Sequence, residues 1–276
     1  MTSVTTEEGD DMLIRTTKLL AATALVAVVL AACGSDGGDA GNKAADDKPS
    51  ADGTAQPAAV DVDVEAFCDA AVAGETAVIA ASEGMPGEDP APLLDAVETE
   101  APETIAGEVG VIVSAARAAL EEQDTSGIES DEFNTSDGAL DAYLADNCET
   151  QKATVTAVDY GFENLPESLA AGRVTFEFSN GGAELHEMLL MRILEEGLSV
   201  DDLLQMPEKK AMKKVEFVRA LFAPPGESDV ESLDLEAGEY AVLCFVPMGS
   251  TSLEAAESAE GPPHAMEGMT AQFTVQ

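Results

Sequence analysis

The spacing of apolar residues along the chain changes once, close to residue 150. Before that point apolar side chains recur every three or four positions, as at Val64, Phe67 and Ala71. This is the spacing of amphipathic helices. Prolines and clusters of Gly, Ser and Asp separate one run from the next. The pattern predicts a bundle of three or four helices over residues 61–149.

After this point the period falls to two. Val174, Phe176 and Phe178 share one face of an extended segment, which is the alternation expected of a half-buried strand. Ser199 opens a short capped helix within the same region. Several short strands predict an antiparallel β-sandwich over residues 150–276, so the fold class is α + β in separate domains. The alternating segments cover residues 154–158, 173–178, 185–191, 240–245 and 269–275.

The amino-terminal segment carries the features of an export signal. An apolar run over residues 19–32 follows Arg15 and Lys18 and ends in Leu-Ala-Ala-Cys at Cys33. This tetrapeptide resembles the lipobox of bacterial lipoprotein signal peptides. We expect Met12 to be the true start, because the residues before it place four acids ahead of the basic flank. The alternative is an amino-terminal anchor helix that is never cut.

The lipobox resemblance implies a lipid-anchored protein at the outer face of the cell membrane. Residues 1–32 are then a signal peptide, and Cys33 becomes the lipidated first residue of the mature chain. Residues 33–60 are rich in Gly, Ala, Asp and Pro, with nothing to bury, so we predict a flexible linker to the helical domain.

Two further cysteines bracket the helical segment. Cys68 lies near its start and Cys148 at its end. Because disulfides persist outside the cytoplasm, we predict a bond between them. That pairing leaves Cys244 without a partner, and a metal ion is the best reason for an unpaired cysteine in an exported protein.

The charge of the chain limits its partners. It carries 13 Lys and Arg against 54 Asp and Glu, for a net charge of −41. Such a charge disfavours nucleic acid and anionic lipid head groups as partners. A cationic protein partner explains this charge better, as does adaptation to high salt.

The candidate metal ligands follow one another along the chain in the order His, Cys, His-x4-Met. His186 and His264 are the two histidines of the chain. His186 follows an Asn-Gly-Gly turn, Cys244 ends a strand that an Ala-Gly-Glu-Tyr turn opens, and a glycine directly precedes Met269. In these three segments the chain from about Ala153 to its end resembles a cupredoxin, the sandwich of plastocyanin-like blue copper proteins.

The resemblance implies a Greek-key sandwich that binds one copper ion in a type 1 site. Cys244 would be the thiolate ligand, His186 and His264 the imidazole ligands, and Met269 the weak axial ligand. This donor set suits both oxidation states of copper, so we expect electron transfer with a cationic redox protein. Between Cys244 and His264 lie 19 residues, a longer loop than electron carriers of the family usually have.

Other interpretations stay open. The long loop favours a metal-free interaction module that has kept the sandwich. Met248 and Met266 favour copper storage or delivery, because thioethers prefer Cu(I). Zinc held by the same Cys and two His with a carboxylate is a further alternative. Catalysis is disfavoured, because a multicopper oxidase needs more than two histidines and the chain has no Gly-x-Ser-x-Gly elbow.

Overall fold

The computed structural model describes residues 63–276. The predicted signal peptide, the lipidation site at Cys33 and the whole predicted linker lie outside the described residues. Within the part of the chain that is described, no helix combines the length and the apolar character that crossing a membrane requires.

The amino-terminal half is a bundle of four helices. A π-helical turn, Ala118–Glu122, extends the third helix. Side chains cap three of the helix starts, as when the hydroxyl of Ser130 accepts the backbone N–H of Phe133. The helices are α1 (Val64–Ser82), α2 (Pro90–Glu100), α3 (Ala106–Arg117) and α4 (Asp131–Asn147).

A disulfide joins the two ends of this bundle. Cys68 in α1 is bonded to Cys148, which directly follows α4, and both residues lie in the apolar core of the bundle. The predicted bond is therefore confirmed. It spans 80 residues of sequence, and a closed loop of that length stabilises the fold by about 4 kcal/mol in the chain-entropy description.

The carboxyl-terminal half is a sandwich of two sheets around one apolar core. One sheet has the strand order β2-β1-β4-β7, and the other has the order β3-β9-β8-β5-β6. A helical bundle followed by a β-sandwich confirms the predicted fold class. The strands are β1 (Gln151–Val158), β2 (Gly161–Glu163), β3 (Ser168–Leu169), β4 (Gly172–Asn180), β5 (His186–Ile193), β6 (Val215–Ala223), β7 (Ser228–Leu235), β8 (Gly238–Leu243) and β9 (Thr270–Val275).

The prediction of an antiparallel sandwich is wrong at two strand pairs. β1 runs parallel to β4, and β3 runs parallel to β9, while the other pairs are antiparallel. The chain crosses from β1 through β2 and β3 into the other sheet, and it returns to β4 in its original direction. An alternating pattern indicates a strand but does not indicate the direction of its neighbour.

The excursion between β5 and β6 covers the outer face of the five-stranded sheet. It contains α5 (Val200–Gln205) and α6 (Glu208–Ala211). Ser199 and Asp202 form a reciprocal capping box at the start of α5, which confirms the predicted capped helix. Val200 and Leu203 bury their side chains against residues of β5 and β8.

The helical bundle contacts the sandwich through α1 and α4, which lie against β7. Two arginines of the sandwich bind acids of α1. The guanidinium of Arg173 lies 2.9 Å from Oε1 of Glu65, and that of Arg219 lies 3.0 Å from Oε1 of Glu75. Arg219 is 4% exposed. These two ion pairs link α1 to the sandwich.

Four carboxyl groups around Arg219 have raised pKa values. Burial is the largest cause in each case. The pKa of Asp137 rises to about 7 and that of Asp229 to about 6, and the pKa values of Asp141 and Glu231 are also raised. Because the folded state binds these protons more tightly than the unfolded state, their contribution is fully present below the usual aspartate pKa of 3.8. The contributions of Asp229 and Asp137 are lost as the pH rises through 6 to 7.

We predict that the protein becomes more stable when the pH is lowered from about 7.5 to about 5. The midpoint of thermal unfolding, followed by circular dichroism, should rise by several degrees. Asp137→Asn should raise the midpoint at the higher pH and reduce its dependence on pH. Asp146→Asn, an exposed position of the same helix, serves as the control. An equal effect of the two variants would contradict the assignment to the buried cluster.

Candidate metal centre

Four predicted site residues meet at one end of the sandwich. His186 begins β5, Cys244 directly follows β8, His264 opens a 3₁₀ turn (His264–Glu267), and Met269 directly precedes β9. β5 and β8 are antiparallel neighbours, and Leu189 pairs with Leu243. This register brings the start of β5 and the end of β8 to the same end. The four side chains are fully buried.

The donor atoms of the two imidazoles and the thiol face one another. Nδ1 of His186 lies 3.2 Å from Nδ1 of His264, which lies 3.3 Å from Sγ of Cys244. All three donor atoms lie within 4.8 Å of one another. Donors bound to one ion at about 2.0 to 2.3 Å in a trigonal plane stand roughly 3.5 to 3.8 Å apart. The cluster therefore fits a single metal ion after a small outward movement of its ligands.

A carboxylate lies against the outer nitrogen of each imidazole. Nε2 of His186 lies 3.2 Å from Oδ1 of Asp159, and Nε2 of His264 lies 2.9 Å from Oε2 of Glu184. A carboxylate accepts hydrogen bonds, so it selects the tautomer with hydrogen on Nε2. In a neutral ring of this tautomer, Nδ1 directs its lone pair towards the cluster. Burial lowers the pKa of His186, which favours this neutral form.

Backbone and tyrosine donors fix the two carboxylates in turn. The N–H of Ala183 donates to Asp159 at 2.9 Å and is the main cause of its lowered pKa. Burial alone would raise the pKa of Glu184, but hydrogen bonds from Gly249 and His264 bring it below its usual value. The hydroxyl of Tyr160 lies 3.3 Å from Oε1 of Glu184. Both carboxyl groups are therefore stabilised as anions.

The thiol of Cys244 is held by the strand beside it. Its sulfur accepts the backbone N–H of Glu187 at 3.3 Å, and the carboxylate of Glu187 accepts the N–H of Phe245 at 3.0 Å. Burial raises the pKa of Glu187 to about 7 and also raises the pKa of the Cys244 thiol. A coordinating thiol is deprotonated by its metal ion, so a bound cation would reverse this effect at the sulfur.

Met269 is tied to both neighbouring ligands through its backbone. Its carbonyl oxygen lies 3.3 Å from the N–H of Cys244, and its own N–H donates to the carbonyl of His264 at 3.1 Å. Its side chain lies in the same core cluster as Cys244. The position is consistent with the axial role that the resemblance implies.

The Asn-Gly-Gly turn before β5 holds the first histidine in place. The side-chain amide of Asn180 donates to the carbonyls of Glu184 and Ala223 at 2.7 and 2.6 Å, and its oxygen accepts the N–H of Gly182 at 2.8 Å. A β-carbon at Gly182 would lie 2.4 Å from Oδ1 of Asp159 and 2.6 Å from Nε2 of His186. Only glycine fits there without moving the imidazole or its carboxylate.

The long loop between Cys244 and His264 packs on the sandwich and forms hydrogen bonds with residues at the centre. Its helix α7 (Leu253–Ser258) packs apolar side chains on the sandwich core. The carbonyl of Ser250 accepts the N–H of Leu185 at 2.7 Å, and the N–H of Gly249 donates to Glu184 at 2.6 Å. The loop thereby supports the residues on both sides of the centre.

Asp159, Tyr160 and Glu184 are the site residues that the sequence analysis missed. Glu184 lies two positions before His186, and this proximity is a signal that could have drawn attention to it. Asp159 precedes His186 by 27 residues, and the parallel pairing of β1 with β4 brings it to the imidazole.

The geometry also bears on the zinc alternative. That alternative requires a carboxylate beside the Cys and two His. Within residues 63–276 the cluster contains His186, Cys244 and His264 and no carboxylate. Asp159 and Glu184 bind the imidazoles on the side away from the cluster.

Comparisons with solved structures return copper proteins. Auracyanin A, a "blue" copper protein from the green thermophilic photosynthetic bacterium Chloroflexus aurantiacus, matches at 17% identity and a TM-score of 0.30, over 46% of this chain and 99% of that chain. Rusticyanin from Thiobacillus ferrooxidans matches at 15% identity and a TM-score of 0.28, over 46% and 80% of the two chains. A multicopper oxidase from Pediococcus acidilactici matches at 13% identity and a TM-score of 0.25, over 48% and 27%. No protein-family model and no curated protein matches the chain.

We predict that Gly182→Ala weakens metal binding, because the added methyl group displaces the His186 imidazole or its Asp159 carboxylate. The affinity for Cu(II), measured by competition with a chelator, should fall by about 10- to 100-fold. Gly181→Ala is the matched control, since a β-carbon there meets its nearest atoms at 3.7 Å. Equal affinities in the two variants, with unchanged circular dichroism, would contradict the proposed role of the turn.

Proposed function

We propose that this chain is a copper-binding electron carrier, with His186, Cys244 and His264 as the strong ligands and Met269 as the weak axial one. The observation that carries the proposal is the arrangement of two Nδ1 atoms and one Sγ in a buried cluster, with both outer imidazole nitrogens bound to carboxylates. Two imidazoles and one thiolate with a long thioether contact are the donor set of blue copper sites.

The surrounding residues suit a carrier of single electrons. Bound copper would supply the reversible one-electron change. The packed sandwich holds the ligands on adjoining strand ends, so that little movement accompanies a change of charge. Full burial of the ligands excludes water from the cluster. These properties favour electron transfer over a role in which copper must enter and leave rapidly.

The metal-free alternative is less well supported. An interaction module that had lost its metal would have no need for carboxylates placed on both imidazoles. The long loop, which favoured that alternative in the sequence, forms hydrogen bonds to Glu184 and Leu185 at the centre. We therefore favour a metal-binding role.

A copper storage or delivery role is the second candidate. Met266 is 63% exposed and lies two positions after His264. A thioether at the surface beside the centre is a feature that cuprous-ion exchange would use. This role predicts rapid copper exchange and poor reversible electrochemistry, whereas the carrier role predicts the opposite.

We do not propose an enzymatic activity. A multicopper oxidase requires additional histidines, and this chain has two. Within the described part of the chain, the one group of three metal-capable side chains is the cluster at His186. One copper ion that changes charge reversibly is sufficient for a carrier.

We also propose that the protein is lipid-anchored through Cys33 at the outer face of the cell membrane. The proposal rests on the lipobox-like tetrapeptide and the basic, apolar segment before it. The disulfide between Cys68 and Cys148 is consistent with an oxidising compartment.

A cationic redox protein is the partner that the charge distribution favours. The loops at the metal-centre end cover residues 159–160, 181–185, 224–227 and 244–269, and they contain no Lys or Arg. Lys152, Arg173 and Arg192 lie at or near the opposite ends of their strands. Negative charge around the centre would steer a positive partner towards it. The acids in these loops are Asp159, Glu184, Glu227, Glu254, Glu257, Glu260 and Glu267.

We predict that the copper-loaded protein exchanges electrons with small reagents of either charge, with opposite responses to salt. In stopped-flow measurements, the rate with tris(phenanthroline)cobalt(III) should fall as salt is added, because screening weakens attraction. The rate with the anionic ferricyanide should rise. The same salt response for both reagents would contradict steering by the acidic end, and no exchange with either would contradict the carrier role.

A further inference from the structure

Each of the two imidazoles of the centre has a carboxylate on its outer nitrogen. The distances are 3.2 Å for Asp159 and His186, and 2.9 Å for Glu184 and His264. Both imidazoles are fully buried, whereas the side chains of Asp159 and Glu184 are 42% and 20% exposed. The two carboxylates therefore lie between the buried imidazoles and the surface of the protein.

Within the described part of the chain, neither carboxylate forms an ion pair with a Lys or Arg. Among residues 63–276, the ion-pair partner of each is the histidine alone. The loops at the metal-centre end contain no Lys or Arg that could approach them. With a thiolate from Cys244, the centre would carry three negative charges before any metal ion is counted.

This charge has a direct consequence for a bound copper ion. A carboxylate that accepts the outer N–H makes the imidazole a more basic ligand. Negative charge close to the metal favours Cu(II) over Cu(I), because the attraction is greater for the doubly charged ion. Both effects lower the reduction potential.

We propose that Asp159 and Glu184 are positioning residues that hold the reduction potential of the copper low and fix both imidazoles in the Nδ1-binding tautomer. The proposal rests on the proposed function. It also gives the long loop a role, because the N–H of Gly249 donates to the same carboxylate that binds His264. The centre would then act as an electron donor to a partner of higher potential.

The two carboxylates should not contribute equally. Glu184 is less exposed than Asp159, and its distance to the imidazole is shorter. Water and salt screen an exposed charge more than a buried one. Glu184 should therefore have the larger effect on the potential.

The test uses isosteric amides in the full protein. Asp159→Asn and Glu184→Gln keep an oxygen that can accept the imidazole N–H but remove the charge. The midpoint potential of each copper-loaded variant is measured by spectroelectrochemistry. Glu184→Gln should shift the Cu(I) to Cu(II) affinity ratio about tenfold towards Cu(I), which raises the potential by ~59 mV for one electron. Asp159→Asn should raise it by less.

Glu267→Gln is the matched control. Glu267 lies in the 3₁₀ turn beside His264 and is exposed. Its removal tests the effect of one surface charge at the same end of the molecule. If all three variants shift the potential equally, general surface charge is responsible and the proposal is wrong. Unchanged or lowered potentials in Asp159→Asn and Glu184→Gln would also overturn it.

A second measurement does not depend on copper. Nitrogen-15 NMR of the metal-free protein reports which ring nitrogen carries hydrogen, and both histidines should be Nε2-protonated. A predominant Nδ1–H tautomer would overturn the positioning role. A protein that forms no copper–thiolate absorption would contradict the proposed function itself, whereas normal absorption with unshifted potentials would contradict this inference alone.

Discussion

The antiparallel pairing of β5 with β8 is the constraint on which the metal centre depends. Its register places His186 at the start of one strand and Cys244 at the end of the other, at the same end of the sandwich. A slip of one residue would turn either side chain to the opposite face of the sheet. The buried core on one side and the α5 excursion on the other both fix that register. The ligands are thus positioned by packing that extends well beyond the centre.

The second level of organisation is electrostatic. Each imidazole is oriented by a carboxylate, and those carboxylates are themselves fixed by backbone N–H groups. Charge also links the helical bundle to the sandwich, because Arg173 and Arg219 of the sandwich form ion pairs with acids of α1. Within residues 63–276, each arginine forms ion pairs with at least two carboxylates. Burial, reinforced by repulsion from Glu75, raises the pKa values of Asp137 and Asp229 near Arg219, so these carboxyl groups keep their protons to unusually high pH.

The sequence contained enough information to separate a helical region from a β-sandwich and to identify the four candidate ligands. Apolar residues at every second position mark the sandwich, and apolar residues at every third or fourth position mark the bundle. The His, Cys, His-x4-Met order can be found directly in the sequence. The carboxylates that bind the imidazoles, Asp159 and Glu184, were harder to predict. Asp159 reaches His186 only through the parallel pairing of β1 with β4, and an alternating pattern does not specify strand direction. β6 and β7 were also missed. Helices cover the outer face of β7, and the ion pair between Arg219 of β6 and Glu231 of β7 puts charged residues within both strands, which interrupts the apolar alternation.

The central claim is that His186, Cys244 and His264 bind one copper ion through the thiolate. The most direct test is a titration of the purified protein with Cu(II), followed by visible absorption, beside Cys244→Ala. We predict an intense thiolate-to-copper band that saturates at one ion per chain and is absent in the variant. No band at any copper concentration, or an equal band in Cys244→Ala, would contradict the account.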